Sequence, residues 1–260
     1  MATTKKTTTA APEAPVGADG VVSLAAQLTR HASTVRFACW IIGDTPLITH
    51  SWSEKARREM LQKQIKAPKA GREARDPETD FRSSLYDMGD DVYGFPATGL
   101  KNAILSACHK DKGIARTAVM GALWIDAEMS RTRPALEGAV CDMPLLRIYG
   151  SEPAMREDMV RVGAGLQKTA SLAYRGQFTV WAMRVTGRYN KDVMSHEQLL
   201  FALQDAGTSI GLGEWRNEKR GMFGAFHIAS LEEERQWEAF ARGDGPLPLP
   251  AHYDFPVAAE

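Results

Sequence analysis

The stretch Gly207–Phe226, GTSIGLGEWRNEKRGMFGAF, sets five glycines (Gly207, Gly211, Gly213, Gly221 and Gly224) between a helix-like segment and a strand-like one. That order decides its meaning. A dinucleotide fingerprint runs strand, glycines, helix, so that phosphate meets a helix N-terminus. Here the glycines follow the end of a helix, and no GK[ST] is present, so neither the Rossmann fingerprint nor the P-loop fits. What remains is a loop carrying Trp215, Arg216, Lys219 and Arg220 beside glycine backbone. Glycine lets a ligand approach the main chain, basic groups pair with phosphates, and an aromatic ring stacks on a base. Together they suit a nucleic-acid strand. The alternative is that Gly207 is a helix C-cap, followed by a glycine-rich hairpin with a solvated charged tip.

Upstream of the glycines, Ser195-His196-Glu197-Gln198 reads as a capping box opening a helix through Leu199, Leu200, Leu203 and Ala206. Gln177–Thr186, QFTVWAMRVT, reads as the preceding strand, and Met222–Ala229 resumes strand-like alternation after the glycines. A charged, helical stretch around Glu232–Ala241 follows. Near the other end, VRFACWII, Val35–Ile42, is dense in β-branched and aromatic residues and stops at Gly43-Asp44-Thr45-Pro46, as a central strand ended by a turn would. Ser53 caps a short helix with Ala56, Met60, Leu61 and Ile65 at helical spacing. Phe81–Tyr93 reads as turn-rich and acidic. It leads into FPATGLKNAILSACHK, where Thr98 is placed to cap a helix whose Leu100, Ile104, Leu105 and Cys108 share a face. Ala122–Met129 and Met143–Gly150 read as further strands. Strands interleaved with helices, without a repeat of solenoid length, predict a mixed α+β fold.

Lysine plus arginine number 32 and the acids 32, so the formal net charge is zero and any basic surface must be local. One such run is legible: Lys55, Arg57, Arg58, Lys63, Lys66, Lys69, Arg72 and Arg75 against Glu59 and Glu73. Cys39, Cys108 and Cys141 are widely spaced with no CxxC pair, which argues against a disulfide framework and a zinc knuckle. No apolar run approaches the roughly 18 residues of a membrane span, and the N-terminus lacks the apolar core of a secretory signal, so a cytoplasmic location is expected. Residues 1–20, rich in Ala, Thr and Pro, read as a disordered tail, and 243–260 as a C-terminal tail.

Two segments, GFPATGLKNAILSA (Gly94–Ala107) and GLGEWRNEKRGMFGAFHI (Gly211–Ile228), together resemble the RAMP superfamily, whose ferredoxin-like subunits include the guide-RNA-binding backbone of CRISPR effector complexes. The first is similar to the family's turn opening the first ferredoxin-like helix, the second to its glycine-rich loop before the fourth strand. The resemblance implies a ferredoxin-like (RRM-like) core with an antiparallel sheet over residues 21–242. It also implies long finger- and thumb-type insertions at about 50–93 and 131–175, and places the basic run in the first. A phage or mobile-element relative that coats single strands fits the same motifs. Ser51, Trp52 and Ser53 stand where target-cutting members carry an Asp, so the resemblance does not extend to cleavage.

The leading expectation is a non-catalytic, oligomer- or filament-forming binder of single-stranded RNA or DNA, alone or alongside other effector subunits, with no cofactor, metal or membrane. Its candidate contacts are Lys55, Arg57, Arg58, Lys63, Lys66, Lys69, Lys101, Trp215, Arg216, Lys219 and Arg220, with the five glycines. A structural or assembly protein without nucleic acid is the first alternative, with Trp52, Tyr86 or Tyr93 as contact anchors. A metal-dependent nuclease is the second. Its candidates are thin: Asp90 and Asp91 are adjacent, Asp44, Asp126 and Glu128 lie near strand ends, and the six histidines form no HxH or HExxH pattern.

Overall fold

The computed structural model describes residues 33–66, 75–110, 115–131, 136–139, 141–162 and 169–249. The two terminal tails therefore lie largely outside the described residues. The chain is a mixed α+β fold in which the strands among the described residues pair antiparallel.

VRFACWII lies within β1 (Thr34–Gly43). Its second half is buried on both sides, with Ile41 in one core and Trp40 and Ile42 in another. A strand covered on both faces reads as a continuous apolar run rather than an alternation. β2 (Leu47–Thr49) follows the turn. α1 (Glu54–Gln64) begins where expected, with the Ser53 hydroxyl accepting from the Ala56 N–H, yet none of its residues is buried. α2 (Pro77–Ser84) starts on an Asp76 cap with proline at its first position. The acidic, turn-rich reading of Phe81–Tyr93 covers the end of this helix and a hairpin, β3 (Asp87–Gly89) and β4 (Val92–Pro96). Asp90 and Asp91 both have positive φ at the tip, as a two-residue hairpin turn requires.

β4 runs straight into α3 (Ala97–Lys110), so Thr98 lies inside the helix instead of capping it. Leu100, Ile104, Leu105 and Cys108 form its buried face, as the spacing predicts. Then come α4 (Arg116–Ala122), β5 (Leu123–Asp126), β6 (Glu128–Arg131), β7 (Asp142–Gly150), β8 (Ala154–Val162), β9 (Thr169–Phe178) and β10 (Trp181–Asn190). The run QFTVWAMRVT is thus two strands. The Ser151 hydroxyl accepts the N–H groups of Thr179 (3.1 Å) and Val180 (3.2 Å), turning the chain from one sheet into the other. The chain closes with α5 (His196–Asp205), β11 (Phe226–Ile228) and α6 (Leu231–Arg242).

The main sheet has the order β11-β1-β10-β7-β4-β3, with β5 added to β10 and β6 to β7. Taking β1, β7, β10 and β11 in chain order, their spatial order is 4-1-3-2. α3 connects β1 to β7 and α5 connects β10 to β11. Both helices contribute to the larger core with Trp181, Met183 and Val185 of β10. α6 serves the smaller core on the opposite face, where Trp237 stacks on Trp40 with ring centroids 6.3 Å apart. A second sheet, β2-β9-β8, stands apart. The expected insertion at 131–175 is therefore divided: β7 belongs to the main sheet, pairing with β10, β4 and β6, while β8 and β9 form the separate hairpin. Apolar MPLLRIYG cannot be an exposed projection without leaving Leu145, Leu146 and Ile148 in water.

Candidate nucleic-acid interface

α5 opens on the expected capping box, with both reciprocal bonds of Ser195 and Gln198 formed. It does not stop at Gly207. The helix widens into a π-turn over Ala206–Ile210, closed by the Gly211 N–H on the Ala206 carbonyl at 2.8 Å. From there the glycine segment is bound to the β1–β2 turn. Glu214 N donates to Ile48 O (3.0 Å), Gly224 N to Pro46 O (2.9 Å) and Leu212 N to Gly224 O (2.9 Å). The sequence reading of an open loop offering its N–H groups to a ligand is corrected on this point, since these donors are engaged within the protein. Gly224 shows why glycine is required: its φ is +69° and a Cβ would lie 1.8 Å from the Leu212 carbonyl oxygen.

The two segments that looked distant in sequence meet. Between the start of α3 and the glycine segment lies a groove of about 630 Å³. One wall is a polar line on α3, Thr98, Asn102 and Ser106, at four-residue spacing that aligns side chains along a helix. The facing wall carries Gly211, Gly213, Arg216 and Lys219, and Arg116 from α4 joins the lining. Phe95, Ala103 and Ile210 contribute apolar surface, and His50 and Tyr86 complete a further side.

Charge in the groove is mixed. Arg216 is tied down, with Nε and Nη2 on Glu218 Oε2 at 3.1 and 2.8 Å and Nη1 on the Gly213 carbonyl at 3.1 Å. Glu214 lies 3.6 Å from His50. The neighbouring His50 imidazole, against the opposing effect of burial, holds the Glu214 carboxyl below its ordinary range. Tyr86 donates its hydroxyl to the His50 carbonyl at 3.1 Å, and burial, aided by the Glu214 charge, pushes its ionisation upward. Arg116 and Lys219 make no ion pair among the described residues, so they are the cations available to a ligand.

The other expected contacts are dispersed. Arg57 reaches the Cys141 sulfur at 3.4 Å, and its charge also acts on Tyr86. Arg58 pairs with Glu54 one helical turn away. Lys55, Lys63 and Lys66 lie on or just beyond exposed α1, and Lys69 falls outside the described residues. Lys101 is half-buried on α3 away from the groove lining. Trp215 and Arg220 are exposed at positive φ beside the groove, while Gly207 and Gly221 serve close backbone packing, against Phe226 and Trp215. Sequence reasoning did not place Thr98, Asn102, Ser106, Arg116 or His50 at a groove, and it named Tyr86 only as an assembly-contact anchor. The first three had a signal, a polar line at i, i+4 and i+8 next to the apolar face.

Among the described residues no three His, Cys, Asp or Glu side chains are placed to hold a metal ion, and no helix is long and apolar enough to cross a membrane. No protein-family profile matches the chain, and no curated protein matches it. Among solved structures, the crystal structure of Cmr6 from Pyrococcus furiosus is similar, with a TM-score of 0.38 and 8% identity over 76% of this chain and 100% of that one.

Proposed function

We propose that the protein is a non-catalytic binder of single-stranded nucleic acid, built on a ferredoxin-like core, that holds the strand in the groove between α3 and the glycine segment. The observation that carries this reading is the convergence of two segments more than a hundred residues apart on one groove with chemically different walls. A neutral hydrogen-bonding wall, Thr98, Asn102 and Ser106, suits sugars and base edges, and the cations Arg116 and Lys219 suit phosphates. The core assignment is supported by the 4-1-3-2 strand order with a helix from each crossover, α3 from the first and α5 from the second, packed into the larger core, which is the split βαβ arrangement. The RAMP resemblance of the same two segments points the same way.

Arg216 is a poor probe, because its replacement would also free Glu218 and the Gly213 carbonyl. The variant Arg116→Glu with Lys219→Glu tests the groove instead. Binding of a labelled 30-nucleotide single strand is expected to weaken, and the salt slope to shrink by about 1.4 for two lost phosphate contacts, with circular dichroism unchanged. Unaltered affinity and slope would remove the groove from the binding surface.

A further inference from the structure

The main sheet has a second face, and among the described residues α6 covers one end of it, where Trp237 lies on Trp40. Beyond that end, the register sets Arg36 of β1 opposite Arg188 of β10, and Arg188 opposite Trp124 of β5. Further along β10, Arg184 stands opposite Trp40. Between the two rows lies the pair Ala38 and Thr186, a floor of small side chains. Arg184 and Arg188 are four residues apart on one strand, about 13 Å. Arg147 of β7 adds a guanidinium 4.8 Å from the centre of the Tyr149 ring, which packs against the smaller core.

Three features set this surface apart from an ordinary solvated face. First, β1 and β10 contain arginines and no acid, and the acids on neighbouring strands of the sheet are Asp126, opposite Thr186, Glu128, and Asp142 at the far end of β7. Second, Arg36, Arg147, Arg184 and Arg188 are exposed and make no ion pair among the described residues. Third, Arg36 and Arg188 are direct cross-strand partners, and like charges in that relation destabilise a sheet. A chain of zero net charge that leaves these cations together gains from an anion placed between them. Trp124 is 45% exposed beneath the Arg188 guanidinium, 5.6 Å away, and offers a planar stacking surface at the edge of the array.

We infer that this open half of the sheet is a second contact surface for single-stranded nucleic acid, with Arg36, Arg184 and Arg188 on phosphates and a base stacked on Trp124. Planar stacking over a flat floor favours a strand, since an acidic peptide would use the cations and leave the indole and the floor unfilled. The surface lies on the sheet face opposite α3 and α5, so it stands or falls separately from the groove.

The test is photocrosslinking of a 4-thiouridine-substituted 30-nucleotide single-stranded RNA to the full chain, with crosslinked peptides mapped by mass spectrometry. Crosslinks in the peptides bearing Trp124 and Arg184–Arg188 are expected. They should be lost in Arg184→Glu/Arg188→Glu and in the charge-neutral Arg36→Gln/Arg188→Gln, each with an unchanged circular dichroism spectrum. The Gln pair should also lower the salt slope of binding by about 1.4. Crosslinks confined to Tyr86, Trp215 and the α3 peptides would overturn this inference and leave the groove intact. Crosslinks confined to the sheet would support it and remove the groove. Binding of a poly-glutamate peptide as tight as the RNA at equal salt would overturn it in favour of an acidic protein partner.

Discussion

His227 on β11 sits between two carboxylates, with Nδ1 2.6 Å from Asp44 and Nε2 3.2 Å from Glu233. It ties the β1–β2 turn to the first turn of α6. The hydrogen bond to Asp44, against the cost of burial and with help from Glu233, raises its pKa above the ordinary 6.5. A raised histidine contributes stability that is fully present below 6.5 and is lost as pH climbs through the folded value. Glu233 is displaced in the other sense: despite burial, its bonds from Ser230 and His227 hold it below 4.5, so its contribution fades as pH falls. The clamp is therefore complete between about 4.5 and 6.5. Urea midpoints should drop from pH 6 to pH 8.5 in the wild type, and His227→Gln should flatten that decline. An equal decline in both proteins would show that the clamp does not couple to folding. Also at single-residue scale, Gly224→Ala should cost about 2–3 kcal/mol, because positive φ and the Leu212 carbonyl both oppose a Cβ. Gly121→Ala, with nothing near the added carbon, is the control and should cost nothing. Equal midpoints for the two alanine variants would refute the packing role given to Gly224.

At the scale of elements, α6 shows how much of a fold a short charged segment can carry. Its sequence LEEERQWEAFAR is mostly polar, yet Trp237 is buried between Trp40 and Phe240, and Ser230 and Glu233 form a complete capping box. Trp237→Ala should destabilise the protein by about 3–5 kcal/mol, readable as a loss in thermal or urea midpoint. A change under about 1 kcal/mol would mean that α6 is not integral to the core. The existence of this helix was legible from composition and periodicity, as were β1, α3 and α5, because each carries its own cap or apolar face. What it packs against was not, since one tryptophan among charges does not reveal its partner. The break inside QFTVWAMRVT failed for a related reason. Nothing in that apolar run marks a turn, and the group that makes it, the Ser151 hydroxyl, lies nearly thirty residues upstream. In the glycine segment the cluster of residues was legible, but the engagement of its backbone N–H groups within the protein was not. Glycine spacing reports close approach of backbone, and here the approaching partners are the protein's own strands as well as any ligand. On α3 the sequence reading covers the apolar face, Thr98 as a cap and Lys101, and passes over the line formed by Thr98, Asn102 and Ser106.

For the whole molecule, zero net charge conceals segregation. Arginines gather on β1, β10 and β7, and basic residues on α1, while acids concentrate around the β3–β4 hairpin and the start of α6. A neutral chain exerts little long-range pull on a polyanion, so the proposed binding rests on local contacts, and those are screened within about 10 Å at 0.1 M salt. Retention of nucleic acid should accordingly depend steeply on ionic strength. Purified without nuclease at about 50 mM salt, the protein should carry a raised 260/280 nm absorbance ratio and scatter light as a particle heavier than the 28.6 kDa chain. A wash at about 0.5 M salt should strip the absorbance. If the mass falls with it, the strand organises the assembly. If the mass persists without nucleic acid, subunits associate by protein contacts, for which the exposed Met155, Met159 and Leu172 on the β8–β9 hairpin are the candidate surface. A particle of chain mass with a clean protein spectrum at 50 mM salt would contradict both the binding and the oligomer readings.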